Sequence, residues 1–241
     1  MFSEVVDQII LRSGRPDRQA DIISWLNSTI RETQTTALYY KDLVEDQVIA
    51  TSSPFIWTYP RFMRNLKTVK YGTDTYPKFV QPGKLQRDIN DDYYFYAAST
   101  YYVFNGIGNP SDTYVDPVTG LSDNTISLAY YTYSPRLNYY ALGSRPALFD
   151  DVNDLWTFQD GSTMPYEGTP TTQQQIWINQ VYNWLIMLYP DLLIEGVLAK
   201  LFKSIKDDAR AVTAYSLYRS YQADLKSNEA FEFLNTNSYG E

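Results

Sequence analysis

The chain has 241 residues, of which 44% are apolar and 20% charged, a composition typical of a globular protein and not of a disordered one. It contains no Cys and no His, which excludes disulfides, zinc–thiolate sites and every catalytic triad that uses either residue. With 28 acidic and 20 basic residues its net charge is −8, which disfavours a nucleic-acid binder that uses a basic face.

Tyrosine is the unusual part of the composition. The chain has 23 Tyr, 11 Phe and 5 Trp, so 16% of its residues are aromatic. A tyrosine ring is apolar while its hydroxyl needs a hydrogen-bond partner, so tyrosine suits half-buried sheet faces and protein interfaces better than dry cores. The composition therefore favours a protein that other proteins contact.

The N-terminal region predicts two helices. Residues 3–13 form the first, and the Gly14 to Asp17 turn ends it and starts the next, with Asp17 as the expected N-cap. Residues 18–33 carry apolar side chains at helical spacing. These are Ile22, Ile23, Leu26 and Ile30, with Trp25 beside them.

After residue 36 the pattern changes to short aromatic and β-branched runs separated by turn-forming residues, which is typical of strands. The expected strands are residues 47–50, 55–59, 66–71, 93–97, 101–104 and 126–133. Residues 105–124 are rich in Gly, Pro, Asn and Asp and predict a projecting loop. Residues 150–172 predict a second turn-rich region that returns the chain to helical structure.

Helical spacing resumes at residue 173. One row of apolar residues continues at four-residue steps beyond Pro190, and a second row widens the buried stripe. The two rows are Leu193, Val197, Leu201 and Ile205, and Ile194, Leu198 and Phe202. A further helix begins near Asp207 and presents Tyr215, Tyr218, Tyr221 and Leu225 on one face.

The expected fold class is α+β, an α-helical bundle with a large Tyr-rich antiparallel β insertion. Its segments are N-terminal helices at 1–36, the β-rich insertion at 37–170, C-terminal helices at 171–227 and an extended tail at 228–241. The N-terminal residues lack the basic residues of a secretory signal, and the longest apolar stretch, 184–189, is too short to span a bilayer. We therefore expect no membrane partner.

Four short motifs, in this order, resemble tailed-bacteriophage head-to-tail adaptor (connector) proteins. The first is an Ile/Leu-x-x-x-Leu-Asn pattern, occupied here by Ile22, Leu26 and Asn27. The second is the Tyr59-Pro60-Arg61-Phe62 turn, and the third is a strand exit running from Leu128 to Leu137. The fourth, Tyr-Pro-x-Leu-Leu-x-x-Gly-x-Leu-Ala at residues 189–199, matches best.

The resemblance implies a structural virion protein at the neck of the particle, assembled in the host cytoplasm. It implies a homo-oligomeric ring, usually of about twelve copies, that joins the portal protein to the tail and extends the DNA channel. Tail tube, nozzle or fibre proteins would then be further partners. A net negative charge suits a channel that DNA crosses without specific binding.

Two groups of aromatic and apolar residues are candidate contact sites. Subunit or tail contacts are expected from tyrosines in the insertion, although the same rings could simply pack the sheet faces. These are Tyr101, Tyr102, Tyr114, Tyr139 and Tyr140. In the tail, Phe231, Phe233 and Leu234 could anchor the chain on the portal, or could belong to a disordered terminus.

No catalytic residue, metal site or cofactor is expected, and the chain is not predicted to be an enzyme. The acidic residues Asp150, Asp151, Asp154 and Asp160 lack the spacing of a calcium loop. Glu195, beside an apolar helix face, is the most interesting carboxylate for glycosidase chemistry but is better explained as a solvated helix edge. Two alternatives remain open: a tail tube or nozzle ring component, and a virion-associated glycan-binding or glycan-cleaving protein.

Overall fold

Helices and sheets both contribute to this mixed α+β protein. The computed structural model describes residues 1–52, 54–72, 76–81, 94–105, 124–141, 143–150 and 152–236, with the backbone alone for 229–236. Within these residues it contains six α-helices. They are α1 (Phe2–Ser13), α2 (Gln19–Thr36), α3 (Thr172–Val181), α4 (Trp184–Leu188), α5 (Pro190–Ser204) and α6 (Asp208–Thr236).

Local sequence signals explain where several helices begin and end. Gly14 ends α1 in the left-handed conformation, with φ of 66°, which glycine adopts without steric cost. Thr171 and Gln174 form a capping box at the start of α3. Pro190 occupies the first turn of α5, where its missing N–H is not needed.

Two predictions about the helices are wrong. Asp17 is not the N-cap of α2; it lies in a 3-10 turn, Pro16–Arg18, and its carboxylate accepts hydrogen bonds from Arg15. The chain after residue 228 is not extended through to its end, because α6 continues to Thr236. No Gly or Pro interrupts residues 208–236, so nothing in the local sequence stops the helix earlier.

The described part of the chain contains ten strands in three sheets. The strands are β1 (Leu43–Ile49), β2 (Phe55–Thr58), β3 (Met63–Tyr71), β4 (Lys78–Phe79), β5 (Tyr94–Ala97), β6 (Tyr101–Asn105), β7 (Thr125–Thr132), β8 (Ala147–Asp150), β9 (Leu155–Phe158) and β10 (Thr163–Pro165). The sheet orders are β1-β7-β3, β2-β6-β5-β4 and β8-β9-β10. Every pairing is antiparallel except that of β4 with β5.

The six strands predicted from sequence all overlap observed strands, but four others were missed: the two-residue β4, and β8, β9 and β10. Strands β8, β9 and β10 lie in or beside residues 150–172, where the turn-forming residues of the sequence predict only turns. Their lengths are 4, 4 and 3 residues, too short for a two-residue alternation to be recognised.

The chain divides into two units. The helical unit comprises Met1–Lys41 and Ser134–Glu241, and the sheet unit comprises Asp42–Tyr133. All six α-helices and the β8-β9-β10 sheet belong to the helical unit, and strands β1 to β7 belong to the sheet unit.

Each unit has its own hydrophobic core. In the helical unit, α5 is buried among α1, α2 and α6, and the fully buried side chains there include Ile22, Leu26, Leu193, Val197 and Leu201. These residues belong to the stripes predicted from helical spacing, and their burial confirms the prediction. Tyr215 differs, because 55% of its surface is exposed.

Candidate functional site

The segment that re-enters the helical unit after β7 is held by hydrogen bonds to α2. The Leu137 N–H donates to Asn27 Oδ1 at 2.8 Å, and Asn27 Nδ2 donates to the Leu137 carbonyl at 3.1 Å. Asn27 Nδ2 also donates to Ile23 O at 3.0 Å. One amide side chain thus satisfies both backbone groups of a residue that is itself 1% exposed.

A second polar cluster holds Ser134 at the start of the same segment. Gln34 Nε2 donates to Ser134 Oγ at 2.9 Å, and Ser134 N–H donates to Gln34 Oε1 at 3.2 Å. Asn183 Nδ2 also donates to Ser134 Oγ, while Asn183 Oδ1 caps α4 through the Leu185 N–H. Gln34 and Asn183 are buried, and their hydrogen bonds offset the cost of removing two amides from water.

Tyr139 and Tyr140, two of the candidate contact tyrosines, are half-buried within the helical unit. The Tyr139 hydroxyl donates to Asp7 Oδ1 at 3.1 Å. The Tyr140 hydroxyl donates to Gln180 Oε1 at 2.8 Å, and its N–H donates to Ser3 Oγ at 2.9 Å. The two tyrosines therefore bind the re-entering segment to α1 and α3, contacts within the chain that the sequence did not reveal.

Gly196 allows three helices to approach closely. A Cβ atom at Gly196 would lie 2.7 Å from Thr29 Cγ2 on α2 and 3.0 Å from two ring carbons of Tyr218 on α6. Distances below 3.0 Å are not tolerated without a shift of one partner. The glycine of the best-matching motif is therefore required by packing and not by backbone conformation.

An open apolar groove lies beside this contact, with a volume of about 500 Å³. Its lining combines small or apolar residues of α5 and α6 with four charged residues. The lining residues include Gly196, Ala199, Lys203, Val212, Tyr215 and Tyr218. Val212 and Tyr215 are 70% and 55% exposed, so the groove is an accessible apolar surface on the helical unit.

Glu195 lies at an ion pair between α1 and α5. Arg12 Nη1 donates to Glu195 Oε1 at 3.0 Å, and Arg12 Nη2 donates to Asp191 Oδ1 at 3.4 Å. Burial raises the pKa of Glu195, the Arg12 charge opposes that rise, and Asp191 adds to it. The geometry gives Glu195 a role in tying two helices together through Arg12.

The sheet unit packs aromatic rings between its two sheets. The register aligns four phenylalanines in one row across β2, β6, β5 and β4: Phe55, Phe104, Phe95 and Phe79. The ring centroids of Phe95 and Phe104 lie 5.6 Å apart, and those of Phe79 and Phe95 lie 5.3 Å apart. Phe95 and Phe104 belong to the core of the sheet unit, so much of the aromatic content serves the interior of this unit.

Tyr101 and Tyr102 point to opposite faces of β6, because side chains alternate along a strand. The Tyr102 ring contacts four aromatic rings of the core, those of Trp57, Tyr59, Phe95 and Phe104. Burial, together with the neighbouring Tyr59, raises the pKa of Tyr102 to about 12. Tyr102 is therefore a half-buried residue packed against the core of the sheet unit, whereas Tyr101 lies on the other face and stays a candidate for an intersubunit contact.

The remaining candidate contact residues are Tyr114 and three apolar residues near the C-terminus. Tyr114 lies outside the described residues, and so do the side chains of Phe231, Phe233 and Leu234.

Two of the acidic residues considered as calcium ligands, Asp150 at the end of β8 and Asp160 after β9, stabilise turns. Asp150 accepts hydrogen bonds from the Val152 and Asn153 N–H groups and from Asn153 Nδ2. Asp160 accepts from the N–H and hydroxyl of Ser162. Asp151 lies outside the described residues. Over the part of the chain that the structure describes, no group of three acidic side chains could hold a metal ion.

A search for membrane-spanning segments gave no candidate among the described helices, none of which combines sufficient length with sufficient apolar character. Comparison with known proteins gave no family: no protein-family model matches the sequence, and no curated protein matches it either. The adaptor resemblance therefore rests on the four motifs themselves, two of which the structure shows in direct contact through Asn27 and Leu137.

Proposed function

We propose that this chain is a structural virion protein, the subunit of a head-to-tail adaptor ring that joins the portal to the tail and extends the DNA channel. The observation that carries the proposal is the position of the motif residues. Asn27 of the first motif bonds Leu137 of the third, and Gly196 of the fourth packs on Thr29, two residues after Asn27. Motifs far apart in sequence thus serve one packed helical core, which supports treating them as one signature.

The open groove between α5 and α6 gives a second argument. A protein that acts as a monomer gains nothing from exposing Val212 and Tyr215 in a groove that Gly196 and Ala199 also line. A ring subunit needs such surfaces, because each copy must contact two neighbours and the portal. The groove therefore favours an assembly role over a solitary one.

In this proposal the helical unit is the scaffold that binds the portal, and the sheet unit is a Tyr-rich insertion presented to tail tube, nozzle or fibre proteins. The insertion supplies structural contacts, and no cofactor, metal or catalytic group is assigned. DNA passes through the channel without specific binding, consistent with the net charge of −8. The ring has about twelve copies by analogy with the family that the motifs resemble.

Mass photometry of the full-length protein, alone and mixed with portal rings of the same virion, tests the proposal. We expect a stoichiometric complex of portal plus a ring of this chain. Absence of any complex with folded full-length protein would overturn the adaptor role. Rings that form without portal affinity would favour the alternative, a tail tube or nozzle component.

A variant set tests the proposed tail anchor. The triple change Phe231→Ala, Phe233→Ala and Leu234→Ala should abolish the portal complex, and deletion of residues 228–241 should do the same. The matched control changes Asn228 and Asn235 to Ala in the same segment and should leave binding intact. Retained binding by the triple variant would remove the tail from the interface.

A further inference from the structure

Strand β1 forms an edge of the sheet unit and has an outward-facing row of backbone groups. The Ala50 N–H donates to Asn124 O at 2.8 Å, which shows that even-numbered positions face β7. The Gln47 N–H instead bonds the neighbouring Asp46 carboxylate at 2.9 Å. Odd-numbered positions therefore point away from β7, and within the described chain no strand lies on that side.

Apart from the acidic side chains of Glu45 and Asp46, this edge lacks the features that usually prevent edge-to-edge pairing. Residues 43–49 contain no Pro, Lys or Arg, and their pairing with β7 runs over seven residues without a register shift. Ile49 at the end of the strand is 64% exposed. A regular edge of this length with an exposed apolar residue is a template for another strand.

The opposite edge of the same sheet, β3, has a different character. Its register with β7 shifts between Met63 and Asn65 and again between Leu66 and Thr68. Arg64 and Lys67 occupy those two irregular positions. The regular part that remains runs from Thr68 to Tyr71 and contains Lys70.

Glu45 and Lys70 lie on the same face of this sheet. Glu45 aligns with Ala129 and Gln47 with Ser127 on β7, and these align with Thr68 and Lys70 on β3. The same face forms a shallow cavity of about 400 Å³ whose lining includes Glu45, Gln47, Thr68 and Lys70. If the sheet continued from one copy into the next, this face would lie on the same side of the sheet in both copies. Glu45 of one copy could then pair with Lys70 of another.

The charges decide between the two ways in which copies could join. Pairing of β1 with β1 of a second copy would bring Glu45 and Asp46 close to their own equivalents, and like charges opposite one another are destabilising. Pairing of β1 with β3 brings an acidic edge against a basic one. Contacts between two different edges are also the type that generates rings.

We propose that β1 of one copy pairs with the regular stretch of β3 in the next copy, so that the β1-β7-β3 sheet continues around the ring with Glu45 beside Lys70. This inference rests on the proposed ring and names the surface that closes it. Both strands run antiparallel to β7, so the new pairing is parallel. The strand that pairs with the β1 edge thus belongs to a second copy of this chain.

A charge exchange tests the pairing in full-length protein assembled on portal rings. Glu45→Lys and Lys70→Glu should each prevent ring assembly, since each places like charges at every interface. A weakening of about fivefold at one interface multiplies over all the interfaces of the ring. A 1:1 mixture of the two variants should restore rings, because the introduced lysine then meets the introduced glutamate. Glu167→Lys, an exposed charge reversal in the helical unit, is the control and should assemble normally.

A backbone variant tests the edge itself. Gln47→Pro removes an N–H that points away from β7, so the subunit should fold, but the edge can no longer donate at that position. Circular dichroism and thermal unfolding should match the wild type, while rings disappear from mass photometry. Rings formed by Gln47→Pro and by both charge variants would overturn the β1–β3 pairing and leave the adaptor proposal standing.

Chemical cross-linking shows whether the β1 edge pairs with β3 or with β1 of a second copy. The chain contains no Cys, so a Leu43→Cys and Thr68→Cys double variant carries the only two thiols. In the proposed parallel register, position 43 of one copy lies beside position 68 of the next, because Glu45 lies beside Lys70. A short bis-maleimide should link assembled double variant into a ladder of multimers and leave each single variant unlinked. Dimers from Leu43→Cys alone would show β1–β1 pairing and refute the proposal. A wild type that forms no ring at all would refute both this pairing and the adaptor role.

Discussion

Asn27 and Leu137 hold each other through a closed pair of hydrogen bonds, although they lie 110 residues apart. The entire sheet unit, Asp42–Tyr133, lies between them in sequence. Their pairing therefore fixes the point where the chain returns to α2 after completing the sheet unit. The helical unit can pack only if this return occurs at the correct residue.

Replacing Asn27 with Ala should destabilise the helical unit by about 2 kcal/mol, because the N–H and carbonyl of buried Leu137 both lose their partner. Urea unfolding followed by circular dichroism measures the effect. Asn179→Ala removes an exposed amide that bonds only Gln175, and should change stability by less than about 0.5 kcal/mol. Equal effects of the two changes would mean that the Asn27 pair contributes nothing specific.

Gly196→Ala should destabilise the helical unit by roughly 1–3 kcal/mol, despite the higher helix propensity of alanine, because the new methyl overlaps Thr29 Cγ2. Thr29→Ser removes that methyl and keeps the hydroxyl that accepts from Lys200. The double variant should therefore lose less stability than the sum of the single variants in a double-mutant cycle. Strict additivity would show that the overlap with Thr29 is relieved elsewhere.

Tyr102→Ala should cost about 2–4 kcal/mol of stability, whereas Tyr101→Ala should cost less than about 1 kcal/mol, because only Tyr102 packs into the aromatic core. Thermal unfolding of the two variants measures the difference. Mass photometry of assembly should rank the two variants in the opposite order. Tyr101→Ala should fold but should bind neighbouring copies or the tail more weakly than Tyr102→Ala does. A larger stability loss at Tyr101 would reverse the assignment of the two faces.

The sequence predicted the buried face of some of these elements and not of others, for physical reasons. The stripe of Ile22, Leu26 and Ile30 identified α2 because one face of that helix is buried and the other is solvated. Tyr101 and Tyr102 could not be assigned, because both faces of β6 carry tyrosine and alternation alone does not say which face is inside. When two adjacent residues are both tyrosine, the sequence does not indicate which face of the strand is buried.

The contacts that build the candidate site were harder still to predict. Asn27 was visible as part of a motif, but its partner is a backbone group with no side-chain signature. Gly196 gave no sign of its role, since a helical glycine is explained only by what lies opposite it, here Thr29 and Tyr218. Long-range pairing of this kind is set by tertiary packing, which a local pattern does not encode.

Glu195 should make the stability of the protein fall as pH rises through and above the ordinary glutamate pKa of 4.5, relative to a variant that cannot ionise there. Burial raises its pKa above the ordinary value of 4.5, so the folded protein holds the proton more tightly than the unfolded chain does. The favourable contribution of the protonated group is complete below the unfolded pKa and is lost as pH passes the folded pKa. Glu195→Gln removes this dependence.

Chemical unfolding of wild type and Glu195→Gln at several pH values measures the difference directly. The difference in free energy of unfolding, wild type minus variant, should decrease with increasing pH. Glu167→Gln, a change at an exposed glutamate, corrects for the loss of one negative charge from an acidic protein. If the difference instead increases with pH, the attraction of Arg12 outweighs burial, and the ion pair between α1 and α5 is a stabilising contact at neutral pH.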